Sequence, residues 1–148
     1  MNTITAIMPI EVLLVEDNPG DAELIRIALE ESKTSIHLNV VEDGVEAMAF
    51  LRKQEKYAKV VHPDIVLLDL NLPKKDGREV LAEMKVDAKL RRIPVVVLTT
   101  SQAEEDILKA YNLAANCYIT KPVDFDQFVK IVQSIENFWF AIVKLPPE

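Results

Sequence analysis

The chain has 148 residues, of which 49% are hydrophobic and 28% charged, one compact domain's worth and far from a disordered composition. Seventeen basic against 24 acidic residues leave a formal charge of −7, a sign that repels phosphate backbones and anionic lipid, so nucleic acid and membrane surfaces are not expected partners. A single cysteine, Cys117, forms no internal disulfide. The longest apolar run, Phe138–Val143, falls far short of the roughly 18 residues of a membrane span. Met1–Pro9 carries neither the basic flank nor the apolar core of a signal peptide. These observations lead us to expect a cytoplasmic single domain over residues 1–148, with its core at about 10–140.

Val12–Val15 is apolar throughout, and Asn18-Pro19-Gly20-Asp21 then opens a helix carrying Ala22, Ile25 and Leu29 beside Leu24 and Ala28. Ile36–Val41 alternates better and suits a strand nearer an edge. Asp43-Gly44 starts a second helix with Val45, Met48 and Ala49 backed by Phe50 and Leu51, followed by a polar loop over Gln54–Val61. Ile65–Leu68 is a second buried strand, and Pro73 with Lys74-Lys75-Asp76-Gly77 marks a turn before a helix bearing Val80, Leu81 and Met84. Val95–Leu98 follows Pro94, where a missing amide costs little. Ser101 opens a fourth helix with Ile107, Ala110, Tyr111 and Leu113, and Cys117–Ile119 is the last strand. Asp124 opens a fifth helix from about Phe125 to about Phe140, striped by Phe125, Phe128, Val129, Val132 and Ile135. Apolar strands without alternation suit a parallel sheet covered on both faces. The fold class is α/β: five strand–helix units forming a three-layer sandwich, with all strand C-termini on one rim.

Polar residues fall on that rim. The first strand ends in Glu16-Asp17, the third in Asp69, the fourth in Thr99-Thr100 and the fifth in Thr120-Lys121-Pro122. Two carboxylates about 4 Å apart repel by roughly 4 kcal/mol at an effective dielectric near 20, and three stay ionised together only beside a cation. Oxygen ligands without histidine or cysteine select a hard ion, Mg²⁺ first with Mn²⁺ a substitute. Glu16 (directly or through a water), Asp17, Asp69 and the Asn71 carbonyl form the expected ligand set. One divalent ion and Lys121 together balance the three carboxylates. Asp69 is the natural nucleophile for a phosphoryl group, which Lys121 and the Thr99 hydroxyl would stabilise.

The set Glu16-Asp17, Asp69, Thr99 and Lys121-Pro122 resembles the receiver domain of two-component response regulators, CheY-like proteins, over nearly the whole chain. Leu70–Leu81 and Arg92–Ser101 look, more narrowly, like the small single-domain regulators paired with cyanobacterial phytochromes. The resemblance implies a flavodoxin-like (βα)5 fold with strand order 2-1-3-4-5 and a metal-dependent aspartyl phosphate on Asp69. It also implies Thr99 as switch hydroxyl, Tyr118 as its aromatic counterpart, a cis Lys121-Pro122 peptide and a histidine kinase as donor, of phytochrome type by the narrower resemblance. Glu16 departs from the aspartate more usual in the family. No output domain is expected, so signalling would pass through changed protein contacts. Phe138–Val143 is apolar all round, either folding back onto the sheet or, as we expect, forming a homodimer patch with the face of helix 4, strand 5 and helix 5.

Two other function classes remain open. An aspartyl-phosphate hydrolase of the haloacid dehalogenase type uses a similar set, but usually has a second aspartate two residues after the nucleophile; here Asn71 cannot transfer that proton. A receiver that binds partners without taking phosphate is the third. Slow loss of the phosphoryl group, rather than enzymatic turnover, is expected, with Asn71 and Ser101 bordering the path of attacking water. His37 and His62 lie away from the rim, Cys117 is read as a small packing residue, and Lys74-Lys75 and Arg91-Arg92 as solvated turns.

Overall fold

The computed structural model describes residues 9–31, 35–110, 112–113, 115, 117–121, 124, 126–130 and 133–134. Five parallel strands, β1 (Ile10–Val15), β2 (Ile36–Val41), β3 (Ile65–Asp69), β4 (Val95–Thr99) and β5 (Cys117–Thr120), form one sheet in the order β2-β1-β3-β4-β5. Four helices, α1 (Pro19–Glu30), α2 (Gly44–Leu51), α3 (Gly77–Val86) and α4 (Gln102–Ala110), connect them, and residues 126–130 are helical after β5. This is the flavodoxin-like arrangement, and β2 is an edge strand, as its alternation suggested.

Every residue of β1, β3 and β4 is buried, because side chains alternate between two apolar layers. Leu13, Val15, Val66, Leu68 and Val97 face α2, α3 and Leu108 of α4. Val12, Leu14, Leu67, Val96 and Leu98 face Ile25, Ala28 and Leu29 of α1, with Phe128. Helix starts match the sequence signals. Asn18, Asp43 and Asp76 cap α1, α2 and α3 through their side chains, Asp76 in a reciprocal pair with Glu79. Ser101 Oγ accepts from Glu104 N at 3.3 Å, and Asp124 Oδ1 from Gln127 N at 2.9 Å.

Two helix faces differ from the sequence reading. In α2 the core stripe is Ala47, Met48, Phe50 and Leu51, while Val45 is exposed. The turn of α2 that begins at Gly44 is pinned against the loop after β3, where a Cβ on Gly44 would sit 1.9 Å from Lys75 O; this fixes the helix rotation and leaves Val45 outward. In α4 Leu108 is fully buried and Ile107 exposed, so the helix is rotated by one position from the expected stripe. Ala110 as a core side chain, Tyr111, Pro122 with its peptide geometry, Phe125, Val132, Ile135 and the Phe138–Val143 patch lie outside the described residues. The loop at 54–61 carries a 3-10 turn, Glu55–Tyr57, whose Tyr57 ring packs on Phe50 and whose hydroxyl donates to Glu46. Lys75 is not a solvated turn residue: it pairs with Glu83, which also pairs with Arg52 at 3.1 Å. Among the described residues no helix is long and apolar enough to cross a membrane.

Candidate functional site

Strand register builds the site. Val15 aligns with Leu68 across β1 and β3, so Glu16 and Asp17 emerge beside Asp69. Asp69 aligns with Leu98, and Thr99 with Thr120, which places Thr99 and then Lys121 on the same rim. Lys121 N donates to Thr99 O at 2.6 Å, carrying the register one residue past β5. The chain must also turn sharply under Asp69. Gly77 N donates to Leu70 O at 3.0 Å, and a Cβ on Gly77 would lie 2.4 Å from Asp69 O. Glycine is what lets α3 begin directly against the end of the central strand.

Glu16, Asp17 and Asp69 each place a carboxylate oxygen within 4.8 Å of the others. Glu16 and Asp69 are each 1% exposed, whereas Asp17 faces solvent. The Lys121 ammonium donates to Asp69 Oδ2 at 2.9 Å and to Glu16 Oε2 at 3.1 Å. Glu16 Oε1 lies 2.9 Å from the same ammonium without hydrogen-bond geometry, so this buried oxygen has no hydrogen bond among the described residues. Asp69 Oδ1 accepts from Asn71 N at 3.0 Å, and Glu16 Oε2 from Asn18 N at 3.2 Å.

The sequence reading missed one member. Asp21 Oδ2 lies 3.1 Å from Lys121 Nζ, so three carboxylates, Glu16, Asp21 and Asp69, share one ammonium, and with Asp17 beside them a single divalent ion would not balance the charge. The signal was present in Asn18-Pro19-Gly20-Asp21, which reads as a helix start and is also a rim segment. Burial first, and then the adjacent Asp69 carboxyl, push the Glu16 carboxyl up to about 7 despite the Lys121 contact. For Lys121 burial opposes the charge, but hydrogen bonds to Glu16 and Asp69 outweigh it and hold the ammonium well above the ordinary lysine range. An oxygen-only cluster whose carboxylates outnumber its one ammonium fits a divalent cation.

The family model of the response regulator receiver domain matches residues 12–133. The chain belongs to that family. Response regulator Rcp1 of Synechocystis sp. is 50% identical over 138 residues, 93% of this chain and 94% of Rcp1. The crystal structure of the phosphorylated cyanobacterial phytochrome response regulator RcpA shares 53% identity, covers 90% of this chain and 96% of that one, and gives a TM-score of 0.78. The Mn²⁺-bound form of Rcp1 shares 50% identity, with coverage of 94% and 100% and a TM-score of 0.78. Receiver domains act as signalling switches, and the acidic rim described above is consistent with divalent-metal binding, as is the existence of a Mn²⁺-bound form of Rcp1.

Around this receiver site, Thr99 is 1% exposed and its hydroxyl has no hydrogen-bond partner among the described residues. Tyr118, aligned with Val97, is half-buried; its hydroxyl accepts from Ala115 N at 2.8 Å, and Lys109 Nζ stands 5.4 Å from the ring centroid. His37 sits apart, with Nδ1 2.7 Å from Glu11 Oε1, and His62 is exposed before β3. Cys117 is half-buried, and burial pushes its thiol above the ordinary range.

Proposed function

We propose that this receiver is a phosphorylation-dependent switch in which Asp69 accepts a phosphoryl group from a partner histidine kinase. The supporting observation is a buried carboxylate at the end of the central strand with an ammonium 2.9 Å from one oxygen and two further carboxylates crowded beside it. In the transfer, an Asp69 oxygen attacks phosphorus, the donor's phosphorus–nitrogen bond breaks, and the departing imidazole keeps the electron pair and takes up a proton. Lys121 is already in place to meet the developing charge on the phosphoryl oxygens, a placement that needs no reorganisation during reaction. Asn71 N, held on Asp69 Oδ1, fixes the carboxylate's orientation.

Glu16, Asp17 and Asp69, with the Asn71 carbonyl, would hold Mg²⁺, or Mn²⁺ in its place. When bound, the ion supplies the positive charge that lets an anionic donor approach an acidic site. Thr99 then serves as switch hydroxyl, because a buried hydroxyl without a partner gains a hydrogen bond when a phosphoryl oxygen arrives. Tyr118 is its aromatic counterpart, and remodelling of the face built from α4, β5 and the helical residues after it carries the signal to partners. Homodimerisation through that face and the C-terminal apolar segment, a phytochrome-type kinase as donor and a cytoplasmic location complete the reading. The kinase type is supported by the phytochrome regulators among the relatives.

Intact-mass measurement after incubation with acetyl phosphate and Mg²⁺ tests the core of this proposal. One phosphoryl increment on the wild type, absent in Asp69→Asn, is expected. No increment on the wild type would favour a receiver that binds without phosphorylation, and an increment surviving in Asp69→Asn would move the acceptor elsewhere. Steady phosphate release from small monoesters would favour the hydrolase class.

A further inference from the structure

Glu104, in the first turn of α4, joins segments that flank the site. Its Oε1 accepts from Thr100 N at 2.7 Å, and its Oε2 lies 3.6 Å from the Arg78 guanidinium on α3. Its own N–H donates to Ser101 Oγ at 3.3 Å. In a reciprocal helix cap the third helical residue reaches back to the amide of the capping residue itself. Glu104 instead reaches one residue further, to the amide that directly follows Thr99. One side chain therefore ties the loop after β4 to the helix that starts beneath Asp69.

Holding that loop has an energetic reason. Thr99 Oγ1 is buried without a hydrogen-bond partner among the described residues, so its resting position is not stabilised by its own hydroxyl. The neighbouring amide supplies the restraint. A carboxylate accepting a backbone N–H beside a guanidinium makes a charge-assisted contact stronger than a neutral one. Burial tends to raise the Glu104 pKa, but the Thr100 amide and hydroxyl, the Asn71 side chain and Arg78 outweigh it, keeping the carboxylate ionised and able to hold.

We propose that Glu104 is a latch, a positioning residue that holds the loop at Thr99–Ser101 in its resting place through the Thr100 amide and Arg78, and that this contact must loosen before the Thr99 hydroxyl reaches a phosphoryl oxygen. The proposal rests on Asp69 being the phosphoacceptor. A ligand shifts such an equilibrium only by its differential affinity for the two states, so a weaker latch raises affinity for the ligand that draws Thr99 inward.

The test measures binding of beryllofluoride with Mg²⁺ to the full chain, together with hydrogen exchange of the Thr100 amide in the free protein. Glu104→Ala is expected to speed Thr100 exchange and to bind beryllofluoride about tenfold more tightly. Glu104→Gln, which keeps a neutral acceptor for the amide but loses the pairing with Arg78, should fall between wild type and Glu104→Ala in both. In a Thr99→Ala background the gain from Glu104→Ala should vanish. Unchanged or weaker binding by Glu104→Ala, as a purely helix-capping residue would give, overturns the latch, as does a gain that persists without Thr99. If the wild type binds no beryllofluoride, the phosphoacceptor reading fails. The latch falls with it, whereas wild-type binding without a gain in Glu104→Ala overturns the latch alone.

Discussion

Removing the charge of Glu16 gives the sharpest test of the site's electrostatics. The side chain is 1% exposed and its carboxyl is pushed from 4.5 up to about 7. Between those values the folded protein holds a proton that the unfolded chain releases, so stability falls as pH rises across the window. The penalty is absent well below pH 4.5, grows through the window and is complete above about 7. At roughly 1 kcal/mol or a little more per decade, the loss between about pH 5 and pH 8 is about 2–3 kcal/mol. For a chain of this length that corresponds to roughly 5–10 °C in Tm. Thermal melts of wild type and Glu16→Gln, both in chelator, read the effect of Glu16 together with its contacts to Asp69 and Lys121, since titrating groups elsewhere are common to both. The wild type should lose that stability relative to Glu16→Gln as pH rises. Saturating Mg²⁺ at about pH 8 should restore the wild type and leave the variant little changed. Parallel pH profiles for the two proteins would refute the reasoning.

Four further outcomes follow from the same contacts. Lys121→Met leaves two buried carboxylates without their cation and should cost about 3–5 kcal/mol in chelator; urea denaturation with an unchanged midpoint would contradict this. Gly77→Ala forces a methyl group towards Asp69 O, 2.4 Å away, and should destabilise by about 1–3 kcal/mol while weakening divalent-ion binding, measured by urea melts and by calorimetric titration with Mn²⁺. Asp21→Asn removes the fourth, partly exposed carboxylate; Mg²⁺ affinity should fall by a few-fold, with stability changed by less than about 1 kcal/mol. Lys74 sits at φ 65° with its Nζ 3.5 Å from Asp43 Oδ2, so Lys74→Gly should gain up to about 1 kcal/mol by relieving that conformation, and a loss of stability would show that the ion pair dominates.

Much of the molecule was legible before any coordinates. The apolar β-branched runs at 12–15, 65–68 and 95–98 specify buried parallel strands, because only a sheet covered on both faces accepts them. Parallel strands send all their C-termini to one rim, which brought Glu16, Asp17, Asp69, Thr99 and Lys121 to that rim as candidates. Helix rotation was less legible. Val45 and Ile107 fit a helical stripe by spacing, yet both are exposed, since in short helices one tight contact, such as Gly44 against Lys75, can decide the face.

The amino-acid pattern thus determined the α/β class and the crowding of like charges at one edge, because periodicity and strand direction are local properties of the chain. Tertiary structure alone decided that Asp21 joins the Lys121 contacts, that the Thr99 hydroxyl is left without a partner among the described residues, and that Glu104 grips the Thr100 amide. Those facts depend on distances of about 3 Å between segments far apart in sequence or set at a loop's turn. Spacing along the chain carries no measure of such distances.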